Sequence, residues 1–190
     1  MTAVSAPFGF VPDNHISAYG TRGESAYPGG ISSAYASDIY KFQPVALTTA
    51  GVLNPVSANN VDFIGVFAGC EYTDSNGKRV VSDKWLASTV ATEVVAYVWD
   101  DPGVIYEVQG DGSYAQTAVG DQVNITNFAN QVSSTGRSAA TAGTVVGVGV
   151  QGPFRGIGVS PRVDNAWGDA YTIIRVMIAR HQYVAVKVAI

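Results

Sequence analysis

Short runs of Val, Ile, Tyr and Phe, each stopped within a few residues by Gly, Pro, Asn or Asp, recur along this sequence from residue 39 onward. They fall at 42–47, 61–67, 78–81, 90–99, 104–109, 144–150, 171–178 and 183–190. β-Branched and aromatic residues suit a pleated, half-buried surface, and the punctuating residues supply turns. Several runs alternate, as in Thr172-Ile173-Ile174-Arg175-Val176-Met177-Ile178 and Tyr183-Val184-Ala185-Val186-Lys187-Val188. A period of two buries one face of a strand. No stretch keeps a helical period for ten residues between caps. The segment 88–98 has Ala and Glu that suit a helix, but its Val and Thr favour a strand. The expected fold is therefore all-β, mainly antiparallel: a sandwich, a jelly roll or a barrel. Its plainest local mark is Asp74-Ser75-Asn76-Gly77, where the Asn-Gly pair supplies the positive φ of a hairpin turn.

Residues 1–38 read differently. Pro7, Pro12, Pro28 and the pair Gly29-Gly30 interrupt any helix or central strand, so this stretch is expected to be an extended N-terminal arm preceding a β-rich core domain over 39–190. Phe8, Phe10, Tyr19, Tyr27 and Tyr35 recur through the arm, with Tyr40 just beyond it, and are the candidate anchors of a protein interface. Fixing about 38 residues at roughly 1–2 kcal/mol each costs tens of kcal/mol, so the arm is expected to order only on a partner. Within the core domain, 113–143 is rich in Ser, Thr, Ala and Asn and reads as a loop region, with 133–138 exposed. No repeat at solenoid or propeller spacing is present.

Composition narrows the function. Apolar residues make up 47% and charged residues 14%, below the roughly 25% charged content of an average domain, so much of the surface is expected to lie against partners. The net charge of -4 and the absence of a basic run argue against direct nucleic-acid binding. The N-terminus lacks the basic start and apolar run of a secretion signal, and no 18-residue apolar span follows, so neither export by such a signal nor membrane embedding is expected. A single cysteine, Cys70, excludes an intramolecular disulfide framework. Placed in an apolar run, it reads as a buried, inert thiol.

The candidate chemistry is thin. Gly147-Val148-Gly149-Val150-Gln151-Gly152 spells the dinucleotide-binding pattern, yet Pro153-Phe154-Arg155-Gly156 follows instead of the helix whose amides would meet a pyrophosphate. Asp100 and Asp101 could pair as acid and base or hold a hard cation. Adjacent strand residues point to opposite faces, however, and Asp100-Asp101-Pro102-Gly103 reads as a tight turn. The two histidines, His15 and His181, cannot compose a zinc set with one cysteine unless several carboxylates join. His181 with Ser160 or Ser138, or Asp121 with the 133–138 loop, are the hydrolase alternatives, and neither carries a local nucleophile signature. Asn124-Ile125-Thr126 matches a glycosylation acceptor but reads as part of a strand. No enzyme, metal or cofactor is expected. Trp85, Trp99 and Trp167 lie beside turns or strand ends, where they could plug a barrel mouth or stack on sugars.

Three ordered stretches carry a resemblance. Gly65-Val66-Phe67-Ala68-Gly69-Cys70-Glu71-Tyr72-Thr73-Asp74 with the later Ser82-Asp83-Lys84-Trp85 is the first. Ala96-Tyr97-Val98-Trp99-Asp100-Asp101-Pro102 with Ile105-Tyr106-Glu107-Val108-Gln109 is the second, and Asp164-Asn165-Ala166-Trp167-Gly168-Asp169-Ala170-Tyr171 with Arg180-His181-Gln182 the third. Together with Phe8-Gly9-Phe10-Val11-Pro12 and Ile39-Tyr40-Lys41-Phe42-Gln43-Pro44-Val45, they resemble head decoration (cement) proteins of tailed phages of marine and freshwater bacteria, cyanophages among them. Lys41-Phe42-Gln43 departs from the Gly-Asp that precedes Pro-Val in that family, so Gln43 is assigned no role. The resemblance implies a virion protein that is made in the host cytoplasm, sits on the exterior of the phage head and cements neighbouring major capsid protein subunits. It would act as a homo-oligomer, a trimer or a dimer. The alternative is a receptor- or carbohydrate-binding β module of a phage fibre or appendage.

Overall fold

The computed structural model describes residues 4–17, 20, 23–128, 131–132 and 135–184. The fold is all-β, built on two antiparallel six-stranded sheets. In chain order the strands are β1 (Val11–His15), β2 (Ser25–Pro28), β3 (Pro44–Leu47), β4 (Leu53–Pro55), β5 (Gly65–Asp74), β6 (Arg79–Ser82), β7 (Ala91–Trp99) and β8 (Val104–Gln109). A 3₁₀ turn at Gln116–Ala118 precedes β9 (Gln122–Thr126), β10 (Gln131–Val132), β11 (Arg137–Ser138), β12 (Thr141–Val145), β13 (Phe154–Val159) and β14 (Ile173–Ile178). The first sheet runs β1-β8-β14-β13-β9-β12. The second runs β2-β7-β5-β3-β4, with β6 added on β5, and β10 and β11 form a separate two-stranded ribbon.

The first sheet curls towards closure. Its last strand, β12, meets the residue after β8 in a parallel Gly110–Ala142 bridge, and the Asp111 amide donates to the Ala142 carbonyl at 2.8 Å. Such curling buries the inner row of alternating side chains, which is why Ile174, Val176 and Ile178 of β14 are buried while their neighbours are not. Phe10, Phe63, Tyr106 and Phe154 fill that core, with the Phe10 and Phe154 rings stacked at 4.5 Å. A second core, around Ile39, Phe67, Trp85 and Val98, lies on the other sheet.

Strands β7, β8 and β14 fall within the expected runs 90–99, 104–109 and 171–178, and the ambiguous segment 88–98 is strand from Ala91 onward, with no helix. The Asp74–Gly77 hairpin is present in a different form. Only Gly77 has positive φ (77°), and the Gly77 amide donates to the Asp74 carbonyl at 3.0 Å. This is a tight turn followed by a left-handed glycine, so the positive φ is supplied by the glycine alone. The strand expected at 144–150 is displaced to Thr141–Val145, and 146–152 is a loop. Its glycines supply no side chains to pack, whereas Ala142 is buried in the first core and the Thr141 hydroxyl bonds Thr126 and Asn127. The polar stretch 113–143 contains β9, β10, β11 and the start of β12, and the buried Val123, Ile125 and Ala142 of β9 and β12 stand among Gln, Asn and Thr. Of the run 183–190, Tyr183 and Val184 lie in a turn, where the Val184 amide donates to the His181 carbonyl at 3.0 Å. The remainder lies outside the described residues.

The N-terminal segment is extended, as expected, but its described parts are built into the domain. Strand β1 adds to β8 and β2 adds to β7, so the segment edges both sheets. Gly9 makes the entry possible. Its φ is 77°, and a Cβ there would sit 2.7 Å from the Phe42 carbonyl oxygen, so only glycine lets the chain turn in and seat Phe10 in the core. The ordering cost that pointed to a partner is met by these ladders and this core within the chain itself.

Candidate functional site

The two stretches singled out for chemistry, the paired aspartates and the two histidines, meet at one corner of the fold. Strand β7 belongs to one sheet and β8 to the other, and Asp100-Asp101-Pro102-Gly103 turns between them. Asp100 faces β2, where its Oδ1 accepts from the Ser25 hydroxyl and its Oδ2 from the Tyr27 hydroxyl, both at 2.6 Å. The Tyr27 and Tyr183 hydroxyls are 2.9 Å apart. Burial, then the bond to Asp100, pushes the Tyr27 phenol well above its ordinary range.

Asp101 serves the other sheet. Its Oδ1 lies 3.0 Å from His15 Nε2 and accepts from the Gly103 amide at 2.8 Å. His15 Nδ1 is 2.6 Å from the Ser17 hydroxyl, and Gly103 is needed because any Cβ there would collide with the imidazole. His181 is buried nearby. Its Nδ1 accepts from the Tyr183 amide at 3.1 Å, which leaves the proton on Nε2 in the neutral ring, and Nε2 makes no hydrogen bond of good geometry among the described residues. Burial holds this imidazole below the usual histidine range, against the opposing pull of the Asp100 carbonyl and the Asp100 and Asp101 charges.

A second polar centre was not apparent from sequence. Glu107 is buried on β8, accepts from the Ser160 hydroxyl, and receives two bonds from Arg162, Nε at 3.1 Å and Nη2 at 2.7 Å. Burial alone would raise its carboxyl. The bonds from Ser160 and Arg162 and the charges of Arg162 and Arg175 hold it below the ordinary range. The available signal was a lone glutamate inside the apolar run Ile105-Tyr106-Glu107-Val108. The N-terminal segment is tied here too. Phe8 lies under the Arg162 guanidinium at 4.9 Å from the ring centre, Asp13 pairs with Arg175 at 2.6 Å, and Gln109 brackets Val4 and Ala6.

The candidate interface residues therefore have intrachain positions. Phe10 (1% exposed) and Tyr40 (6%) are buried, which removes them as anchors reaching out to a partner. Phe8, Tyr27 and Tyr35 are half-buried against Arg162, Asp100 and the second core respectively. Tyr19 lies outside the described residues. Among the candidate hydrolase groups, Ser160 donates to Glu107 and Ser138 accepts from the Ala140 amide, so the structure brings neither into a bond with His181. Ser133 lies outside the described residues, and no group of three metal-ligating side chains assembles among the described ones. Trp85 is fully buried and edge-on to Tyr72 at 5.3 Å, Trp99 stacks on Phe42 at 5.6 Å, and Trp167 packs against the first core. Trp85 is closed off from solvent, while Trp99 and Trp167 are partly buried.

One surface feature stands apart from these internal ties. Residues 138–154 carry no charge; Val145, the last residue of β12, is 39% exposed, and the loop that follows exposes Val148 (107%) and Val150 (59%). The loop is held at its base by Gln122, whose carbonyl accepts from the Val146 amide at 2.9 Å and whose side chain accepts from the Gly152 amide at 2.6 Å. Three residues before Gln122, Val119 is also exposed. The result is an apolar tip on a fixed base. Comparison with protein-family models, curated proteins and solved structures finds no significant match.

Proposed function

We propose that this chain is a structural virion protein that binds the outer surface of a phage head and cements neighbouring major capsid protein subunits. The observation that carries the reading is the uncharged, valine-tipped loop at 146–152, an apolar surface that costs free energy in water and gains it against another protein. The low overall charge and the ordered motifs that resemble decoration proteins support the same reading. A homo-oligomer, trimer or dimer, would place several such loops on one shell and turn weak single contacts into strong total binding. With little Coulomb attraction to screen, binding should survive molar salt.

The test is co-sedimentation of the purified protein with capsids that lack it, in low salt and in molar salt. A chain starting at residue 39 is a poor comparison, because it would lose β1, β2 and Phe10 from its own fold. The double substitution Val148→Asp, Val150→Asp leaves both cores untouched. Binding by the native protein in both salts, lost in the double variant, is the expected result. Failure of the native protein to sediment with capsids refutes the cement reading, and release in molar salt refutes its apolar basis.

A further inference from the structure

A cleft of about 370 Å³ opens beside β4, between that strand and the segment 35–40, and shares no residue with the valine-tipped loop. Tyr35 and Pro55 give it apolar walls, and Asp38, Tyr40, Asn54 and Ser57 give it polar ones. Asp38 is fixed. Its Oδ2 accepts from the Tyr40 hydroxyl at 2.6 Å and its Oδ1 from the Ala87 amide at 2.7 Å, and these bonds, the Tyr40 one foremost, hold its carboxyl below the ordinary range. Each carboxylate oxygen keeps an acceptor site beyond the donor it already has.

The other polar groups are unengaged within the chain: the side chains of Asn54 and Ser57 on the opposite wall, and of Ser37 beside Asp38, make no hydrogen bond to the described residues, although Asn54 itself is held in the β3–β4 ladder opposite Ala46. The turn below is rigid, since the Tyr40 amide donates to the Gln43 side chain at 2.9 Å and Gln43 in turn donates to the Phe128 carbonyl at 2.8 Å. Such a preformed site has little ordering cost to meet on binding. No Lys or Arg lines the cleft, and Lys84, whose charge acts on Asp38, lies outside its walls, so a phosphate or sulfate in the cleft would meet the Asp38 carboxylate with no cation among the lining groups.

Aromatic and proline walls, a fixed carboxylate acceptor and unpartnered amide and hydroxyl groups are complementary to a ring with one apolar C–H face and a rim of hydroxyls. We propose that this cleft binds a neutral saccharide, with the sugar ring against Tyr35 and its hydroxyls on Asp38 and Asn54. Binding of this kind stands whether or not the chain cements a capsid.

The experiment is saturation-transfer NMR on the full chain with maltose, lactose and chitobiose at millimolar concentration, and with glucose against glucose 6-phosphate. Transfer to at least one disaccharide is expected, weaker for glucose 6-phosphate than for glucose, and lost in Asn54→Ala and in Tyr35→Ala. Tyr35 also packs on the second core, so Asn54→Ala, whose side chain makes no hydrogen bond among the described residues and whose melting should match the native protein, is the deciding variant. Absence of transfer to all three disaccharides, transfer retained in Asn54→Ala, or equal transfer to the phosphorylated sugar overturns the proposal.

Discussion

Replacing Phe10 by alanine tests whether the N-terminal segment belongs to the core. The ring is 1% exposed, stacks on Phe154 at 4.5 Å and sits among Phe63, Tyr106 and Val176. Removing a buried phenylalanine ring costs its transfer free energy plus the cavity left behind, together about 3–5 kcal/mol. The lost stacking places Phe10→Ala near the middle of that range, about 4 kcal/mol. For a domain of this size each kcal/mol moves the melting temperature by roughly 2–4 °C, so the variant should melt about 8–16 °C below the native protein. Phe8→Ala is the control. That ring is half-buried under Arg162, and an exposed cation–π contact contributes about 0.5–1 kcal/mol, or a shift of at most about 4 °C. Calorimetry or circular-dichroism melts of the two variants decide the matter. If Phe10→Ala melts no lower than Phe8→Ala, the Phe10 ring is not in the core and the segment is a free arm after all.

Other expectations follow from the same contacts. Cys70 is 1% exposed and burial pushes its thiol up to about 12, so a thiol reagent at pH 8 should leave the folded protein unlabelled and label it fully in denaturant; rapid native labelling refutes the buried placement. His181 is held below its ordinary 6.5, so the unfolded chain takes up the proton first as pH falls. Stability should be flat above about 6.5 and decline below it, and His181→Gln should remove that decline while leaving the loss at lower pH, where Glu107 and Asp38 protonate. An unchanged pH–melting profile in the variant would sink the assignment. Gly9→Ala should destabilise as much as Phe10→Ala, because it combines a φ of 77° with a Cβ only 2.7 Å from the Phe42 carbonyl; a native-like melt shows that the entry turn is not as drawn.

The fold class was legible where alternation was strong. Ile173–Ile178 announces itself because its buried residues are Ile and Val, and Val104–Gln109 because Val104, Tyr106 and Val108 outweigh the buried Glu107 and Gln109 beside them. Strands β1 and β2 were not, since Val11–His15 and Ser25–Pro28 contain proline and sit at sheet edges, where one side of the backbone needs no partner and the proline penalty disappears. The same cause hid the fate of the arm. Its aromatics mark buried surface, but a sequence does not say whether the surface belongs to the chain or to a partner. The Asp100–Asp101 turn was readable from its four residues, whereas the His15 and Tyr27 contacts depend on pairings across 86 and 73 positions that only topology supplies.

The opposite orientation of neighbouring strand residues, which argues against Asp100 and Asp101 acting as an acid–base pair, is what lets them work as a two-way clasp. The turn carries the chain from one sheet to the other, so one carboxylate faces β2 and its neighbour faces β1. Both N-terminal strands are thereby tied to the hinge between the sheets, and Phe10 lies just before the first of them. Pulling this segment away to reach a partner would break two ladders, two carboxylate ties and a core contact at once. The proposed capsid contact accordingly rests on Val148 and Val150, which have nothing to give up within the chain, and not on the aromatic residues of the N-terminal segment.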